Sequence, residues 1–159
     1  MLPPAYAELH CLSSFSFLRG ASQPEELAER AEALGYAALA LTDECSVAGV
    51  VRAHVALKGR RTRLIVGTEL HLDCGLPLVV LAADRRGYGQ MCRLITRARR
   101  AAPKGSYVLQ RADVEALLEP EHCLLLWAPR PAQCRDSARV RADAEWLHRH
   151  FAGSAWIAV

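Results

Sequence analysis

The sequence predicts an α/β domain with a largely parallel sheet, and three observations carry that expectation. Apolar runs of strand length alternate with segments of helical periodicity. The run at 37–42, Ala-Ala-Leu-Ala-Leu-Thr, is continuously apolar, as a strand covered on both faces must be. A length of 159 residues matches one domain of ordinary size.

Taken in order, residues 5–12 read as a first strand. Ser22-Gln23-Pro24-Glu25 then spells a capping box with proline in the first turn, where its missing N–H costs nothing. A helix follows, with Leu27, Ala31 and Leu34 as its inward stripe and Gly35 closing it. After the strand at 37–42, Ser46 is the expected cap of a second helix that turns Val47, Val50, Val51 and Leu57 inward and ends at Gly59. Residues 63–70 make a third strand, and this β-α-β-α-β order implies parallel pairing.

A tight turn at Cys74-Gly75 leads into a strand at 76–82, and Asp84 caps the longest helix, expected to pack through Tyr88, Met91, Cys92 and Ile95. Residues 103–106 read as a loop, 111–118 as a short helix, 122–127 as a strand, 133–150 as a helix and 155–159 as a last strand. That apolar last strand calls for a further element beyond it, so residues 1–159 are expected to be one domain left incomplete at the carboxyl end.

Composition narrows the classes of function. Apolar residues make up 52% of the chain, but the runs are too short for a bilayer span, so no membrane partner is expected. Residues 1–8 lack a basic segment followed by an apolar one, so a secretory signal is not expected and the cytoplasm is the expected location. The six cysteines include no CxxC pair, which argues against zinc ribbons and dithiol redox chemistry and for reduced thiols. The net charge of +3 is modest but uneven: residues 1–50 hold seven acidic side chains and two arginines, whereas 84–111 hold eight basic ones and Asp84.

In parallel α/β domains, ligands gather where strands end at their carboxyl side. Those ends carry His10, Asp43, Glu44, Glu69 and His71, an imidazole and carboxylate set suited to zinc, manganese or iron, or equally to ordinary core and capping hydrogen bonds. Further on, Arg93, Arg97 and Arg100 share one helical face, flanked by Arg86 and Lys104. Such a stripe suits phosphates on DNA, an acidic surface of a neighbouring domain, or plain solvent; no aromatic residue lies among the arginines to stack a base.

Five blocks carry a resemblance. Tyr6-Ala7-Glu8-Leu9-His10-Cys11-Leu12-Ser13-Ser14-Phe15-Ser16-Phe17-Leu18-Arg19-Gly20-Ala21 comes first, and Leu34-Gly35-Tyr36 through Ala38-Leu39-Ala40-Leu41-Thr42-Asp43-Glu44 second. Val66-Gly67-Thr68-Glu69-Leu70 is third, Leu81-Ala82-Ala83-Asp84 with Gly87-Tyr88-Gly89-Gln90-Met91-Cys92-Arg93-Leu94-Ile95-Thr96 fourth, and Asp113-Val114-Glu115-Ala116-Leu117 fifth. Together, and in this order, they resemble the amino-terminal PHP (polymerase and histidinol phosphatase) region of bacterial error-prone C-family DNA polymerases. The wording Glu8-Leu9-His10-Cys11-Leu12-Ser13 and Thr42-Asp43-Glu44-Cys45-Ser46 resembles the ImuC-type branch.

The resemblance implies a partial, distorted parallel β/α barrel of the PHP type, serving as a module of a polymerase that copies past damaged template in DNA damage-induced replication and repair. It implies as partners the remaining polymerase domains, DNA, the sliding clamp and mutagenesis accessory proteins, with magnesium acting in the parent polymerase's own downstream site. It also implies a metal site in intact members, and here the motif departs. Leu12 stands where the family has the second histidine of His-x-His, Arg19 where it has an aspartate, Glu44 where it has the histidine of Thr-Asp-His, and Pro77 at a further histidine. His10 and Glu69 are retained, and Asp43 and Glu44 complete the candidate set of a degenerate site.

No cofactor is therefore expected here, residual zinc or manganese aside, and the chain is expected to be structural and catalytically inert. The alternatives are a metal-dependent phosphoesterase or proofreading-type nuclease using His10 and Glu69, and a DNA-binding module using the Arg93 face.

Overall fold

A computed structural model describes residues 5–131 and 133–158. The chain divides into two compact units, Met1–Glu69 and Leu70–Val159. Both are mixed α/β.

The first unit runs β1 (Ala7–Cys11), α1 (Pro24–Ala33), β2 (Ala38–Leu41), α2 (Val50–Leu57) and β3 (Arg63–His71), whose last two residues pass into the second unit. The expected parallel pairing is present. Ala7 faces Ala38 and Cys11 faces Leu41, with an irregularity between Glu8 and Cys11, and Ala38 to Leu41 pair with Arg63 to Val66. All four residues of β2 are buried.

The helix faces differ from the sequence expectation. Ala28 and Ala31 are the buried residues of α1 along with Pro24, while Leu27 is half-buried and Leu34 is exposed. The reason is α2: Ala28 and Ala53 are both fully buried in one cluster with Leu39, Leu41 and Leu57, and a larger side chain at either alanine would push the helices apart. The cap of α1 is Gln23, one residue beyond Ser22, and its N–H donates to the Glu26 carboxylate at 2.8 Å. Helix α2 starts at Val50, because the Ser46 hydroxyl is used within a turn, accepting from the Ala48 N–H at 3.1 Å. Val51 consequently points outward and is 70% exposed.

In the second unit, Gly75 makes the turn at φ +81°, its N–H donating to the Leu72 carbonyl at 2.7 Å, and β4 (Pro77–Ala82) follows. Then come α3 (Arg85–Arg100), α4 (Arg111–Leu117), β5 (Cys123–Trp127), a 3-10 turn at Gln133–Arg135, α5 (Ser137–Phe151) and β6 (Ala155–Ile157). Parallel order is broken here. The helices α3 and α4 return the chain so that β5 runs antiparallel to β4, Leu78 opposite Trp127 and Ala82 opposite Cys123; β6 is parallel to β5. The expected last strand reached Val159, which lies outside the described residues.

Helix α3 is also rotated from its expected face. Its buried residues are Gly87, Gln90, Met91, Leu94 and Ala98, while Tyr88 is exposed and Cys92 and Ile95 are half-buried. Gly87 sets this orientation: a Cβ there would sit 1.9 Å from the His122 carbonyl oxygen, so only glycine lets the helix meet the start of β5. Gln90 is the polar member of that face, and its carbonyl oxygen accepts from the Glu119 N–H at 3.1 Å. Trp127 and Trp146 are buried, whereas Trp156 is half exposed.

Candidate functional site

The site lies in the first unit, where the segment after β1 folds against the ends of β2 and β3. That segment closes on itself: the Ser16 N–H donates to the Ser13 carbonyl at 2.9 Å, and the N–H groups of Arg19 and Gly20 both donate to the Ser16 carbonyl. A Cβ on Gly20 would lie 2.0 Å from the Ser13 carbonyl oxygen, so the turn requires glycine. Leu18, just before Arg19, is held at φ +59°, a conformation that costs a side-chain-bearing residue on the order of 1 kcal/mol. The surrounding bonds hold it there.

Asp43 is the anchor. Its carboxylate accepts from the Ser13 N–H at 2.8 Å and from the hydroxyls of Ser13 and Ser16 at 2.7 Å each, and all three residues are buried. The Ser16 hydroxyl also accepts from the Glu44 N–H at 2.9 Å. Asp43 thereby ties the segment after β1 to the end of β2. On β3, the Thr68 hydroxyl donates to the Asp43 carbonyl at 2.8 Å, and the Glu69 N–H donates to the Thr42 carbonyl at 3.1 Å. The result is a fixed pose for Glu69.

The segment so held presents Arg19 to two carboxylates. Its guanidinium takes Glu69 in a two-pronged pair at 2.6 and 3.2 Å and reaches Glu44 at 2.9 Å. His10 Nε2 also lies 2.6 Å from Glu69 Oε2; an ionised carboxylate accepts, so this nitrogen carries the hydrogen. The Glu69 side chain is 4% exposed, that of Arg19 34%. The hydrogen bond from Arg19 to Glu69 above all, then that to Glu44, raises the guanidinium pKa further, so the group stays charged.

The sequence candidates thus divide. His10, Glu69 and Glu44 converge, but around an arginine; Asp43 is committed to Ser13 and Ser16. His71 lies in the second unit, where its N–H donates to the Tyr107 hydroxyl at 3.0 Å. Among the described residues, no group of three or more His, Cys, Asp or Glu side chains is arranged to hold a metal ion. What the arrangement can do is neutralise charge and fix three chain segments. Ser13 and Ser16 were missed by sequence reasoning, since serine is common in loops and only the fold shows both aimed at one carboxylate.

The arginine face lies in the second unit. Arg93, Arg97 and Arg100 line an open groove of about 630 Å³ with Cys92, Thr96 and Leu117. Arg97 is paired with Asp113 at 3.0 Å and Arg86 with Glu119 at 3.1 Å.

Comparison with known proteins agrees with the motifs. The model of the PHP domain family matches residues 8–159. Proteins named error-prone DNA polymerase are similar throughout: 57% identical over 98% of this chain in Dechloromonas aromatica, 53% over 97% in Aromatoleum aromaticum and 46% over 100% in Azoarcus sp.. The chain spans 15%, 14% and 17% of their lengths. Among solved structures, a protein described as a metal-dependent phosphoesterase from Bifidobacterium adolescentis aligns with a TM-score of 0.63 at 14% identity, covering 91% of this chain and 75% of its own. An amidohydrolase from Chromobacterium violaceum, with bound sulfate and no metal, aligns at 0.64 and 19% identity over 96% and 76%. At such identity these two speak for the fold alone.

Proposed function

The chain belongs to the PHP domain family, and from that premise we propose that it is the PHP module of a bacterial error-prone DNA polymerase, structural in role and without hydrolytic activity of its own. Similarity of 46–57% to error-prone polymerases over nearly the whole chain supports the parent's identity. The wording at 8–13 and 42–46 supports the ImuC-type branch within it. The parent's partners are then its remaining polymerase domains, DNA, the sliding clamp and mutagenesis accessory proteins, in the cytoplasm, with magnesium serving the polymerase chemistry elsewhere. No helix among the described residues is long and apolar enough to cross a membrane.

One observation carries the inert reading: the Glu69 carboxylate is taken at both oxygens by the Arg19 guanidinium and at Oε2 by His10 as well. A divalent cation at His10 and Glu69 would meet a fixed positive charge within hydrogen-bond distance of its own ligand. The Leu12 side chain offers no lone pair, and the Asp43 carboxylate already accepts from three donors of Ser13 and Ser16. The residues present do not fit the metal centre that the family implies, and no reaction step is assigned to one.

The test is hydrolysis of nitrophenyl phosphate and of DNA ends by the purified chain with manganese, zinc or iron supplied. The expected rate is the same for the chain and for its His10→Ala and Glu69→Ala variants. Turnover that disappears in both variants would instead establish the phosphoesterase or nuclease reading.

A further inference from the structure

Helix α3 carries six arginines and no acidic residue between Arg85 and Arg100. Arg93, Arg97 and Arg100 fall at successive helical turns on one side, about 6 Å and then about 4.5 Å apart along the axis, and line the same open groove. Among the described residues neither Arg93 nor Arg100 makes an ion pair or hydrogen bond, and both are exposed, so their charge is available. Arg97 is oriented by Asp113 and still 65% exposed. A rigid row of forked donors at that spacing suits a chain of anions with a regular repeat.

We propose that this groove binds the phosphate backbone of a nucleic acid, independently of base sequence. The alternative occupant of a basic groove is an acidic polypeptide; the regular repeat of forked donors favours phosphates, and the experiment below separates the two. No aromatic side chain lines the groove, so bases are neither stacked nor read there. The groove lies wholly within the second unit, apart from the Arg19 site, and the two assignments stand or fall separately.

The experiment is fluorescence anisotropy of labelled single-stranded and duplex DNA with the chain, from about 50 to 200 mM salt. Arg93→Glu/Arg100→Glu is the informative variant, because it leaves the Arg97–Asp113 pair in place. Lys58→Glu/Arg60→Glu, exposed positions of the first unit, is the control with the same change in net charge. Expected is binding whose logarithm falls linearly with log salt, with the slope reduced by roughly 2 and affinity by about tenfold or more in the first variant and little change in the control. No binding by the unaltered chain, an unchanged slope in the first variant, or equal losses in both variants would overturn the proposal. Binding of polyglutamate in preference to DNA would also overturn it, in favour of an acidic protein partner.

Discussion

Arg19 meets two carboxylates with one side chain, Glu44 and the buried Glu69, which it shares with His10. Removing a partner from a buried ion pair costs about 3–5 kcal/mol, and exposure of a third of Arg19 reduces this to about 1–3 kcal/mol. Arg19→Ala is therefore expected to lower unfolding stability by that amount in urea titration. Arg19→Lys should recover only part of it, since an ammonium cannot span both Glu69 oxygens. The thiols give a second expectation at this scale. Burial, with Glu8 and Asp43 nearby, pushes Cys11 up to about 11, and burial with Asp84 and Glu119 nearby does the same to Cys123. Both should resist alkylation at pH 8 while exposed Cys74 and Cys134 react promptly, as peptide mass mapping will show. The sequence offered His10 and Glu69 as candidate metal ligands from their places at strand ends; that they bond to each other was not legible. Nor was it legible that Asp43 faces serines, because nothing in one sequence says which way a strand-end carboxylate turns.

Helix α3 depends on its first turn. The Asp84 carboxylate accepts from the Gly87 N–H at 2.8 Å and from His122 at 2.7 Å, and the backbone bond first, then His122, lowers its pKa. A carboxyl whose pKa is depressed on folding stabilises fully above its unfolded value of 3.8 and progressively less as pH falls through the folded one. The stability difference between the chain and Asp84→Ala should be largest near neutrality and shrink below about pH 4, as thermal melts across pH will measure. A difference that is constant down to pH 2 would remove the charge from the account. The five α-helices of the described residues were legible from periodicity and breakers, though 133–135, expected in the last of them, form a separate 3-10 turn, and the helix faces were less legible. Apolar size favoured Leu27, Val51 and Tyr88 as inward residues, whereas close helix approach chose Ala28, Ala53 and Gly87. Small residues at tight contacts leave little signal in a hydrophobic pattern.

At the scale of the whole chain, strict alternation correctly gives the parallel first unit but not the antiparallel β4–β5 pair of the second, whose connection through two helices looks the same in sequence as a parallel crossover. Strand β6 pairs with β5, and Trp156 and Ile157 upon it are half exposed. An apolar strand edge of this kind invites self-association, so Ile157→Lys should raise the concentration at which the chain stays monomeric in sedimentation, with little change in melting temperature. The central claim is that the positive charge at Glu69 is the Arg19 guanidinium rather than a metal ion. The direct measurement is zinc, manganese and iron per chain by plasma mass spectrometry after washing with chelator. Far less than stoichiometric metal is expected. One or more ions held tightly per chain would contradict it, and would mean that Arg19 yields its place to a cation.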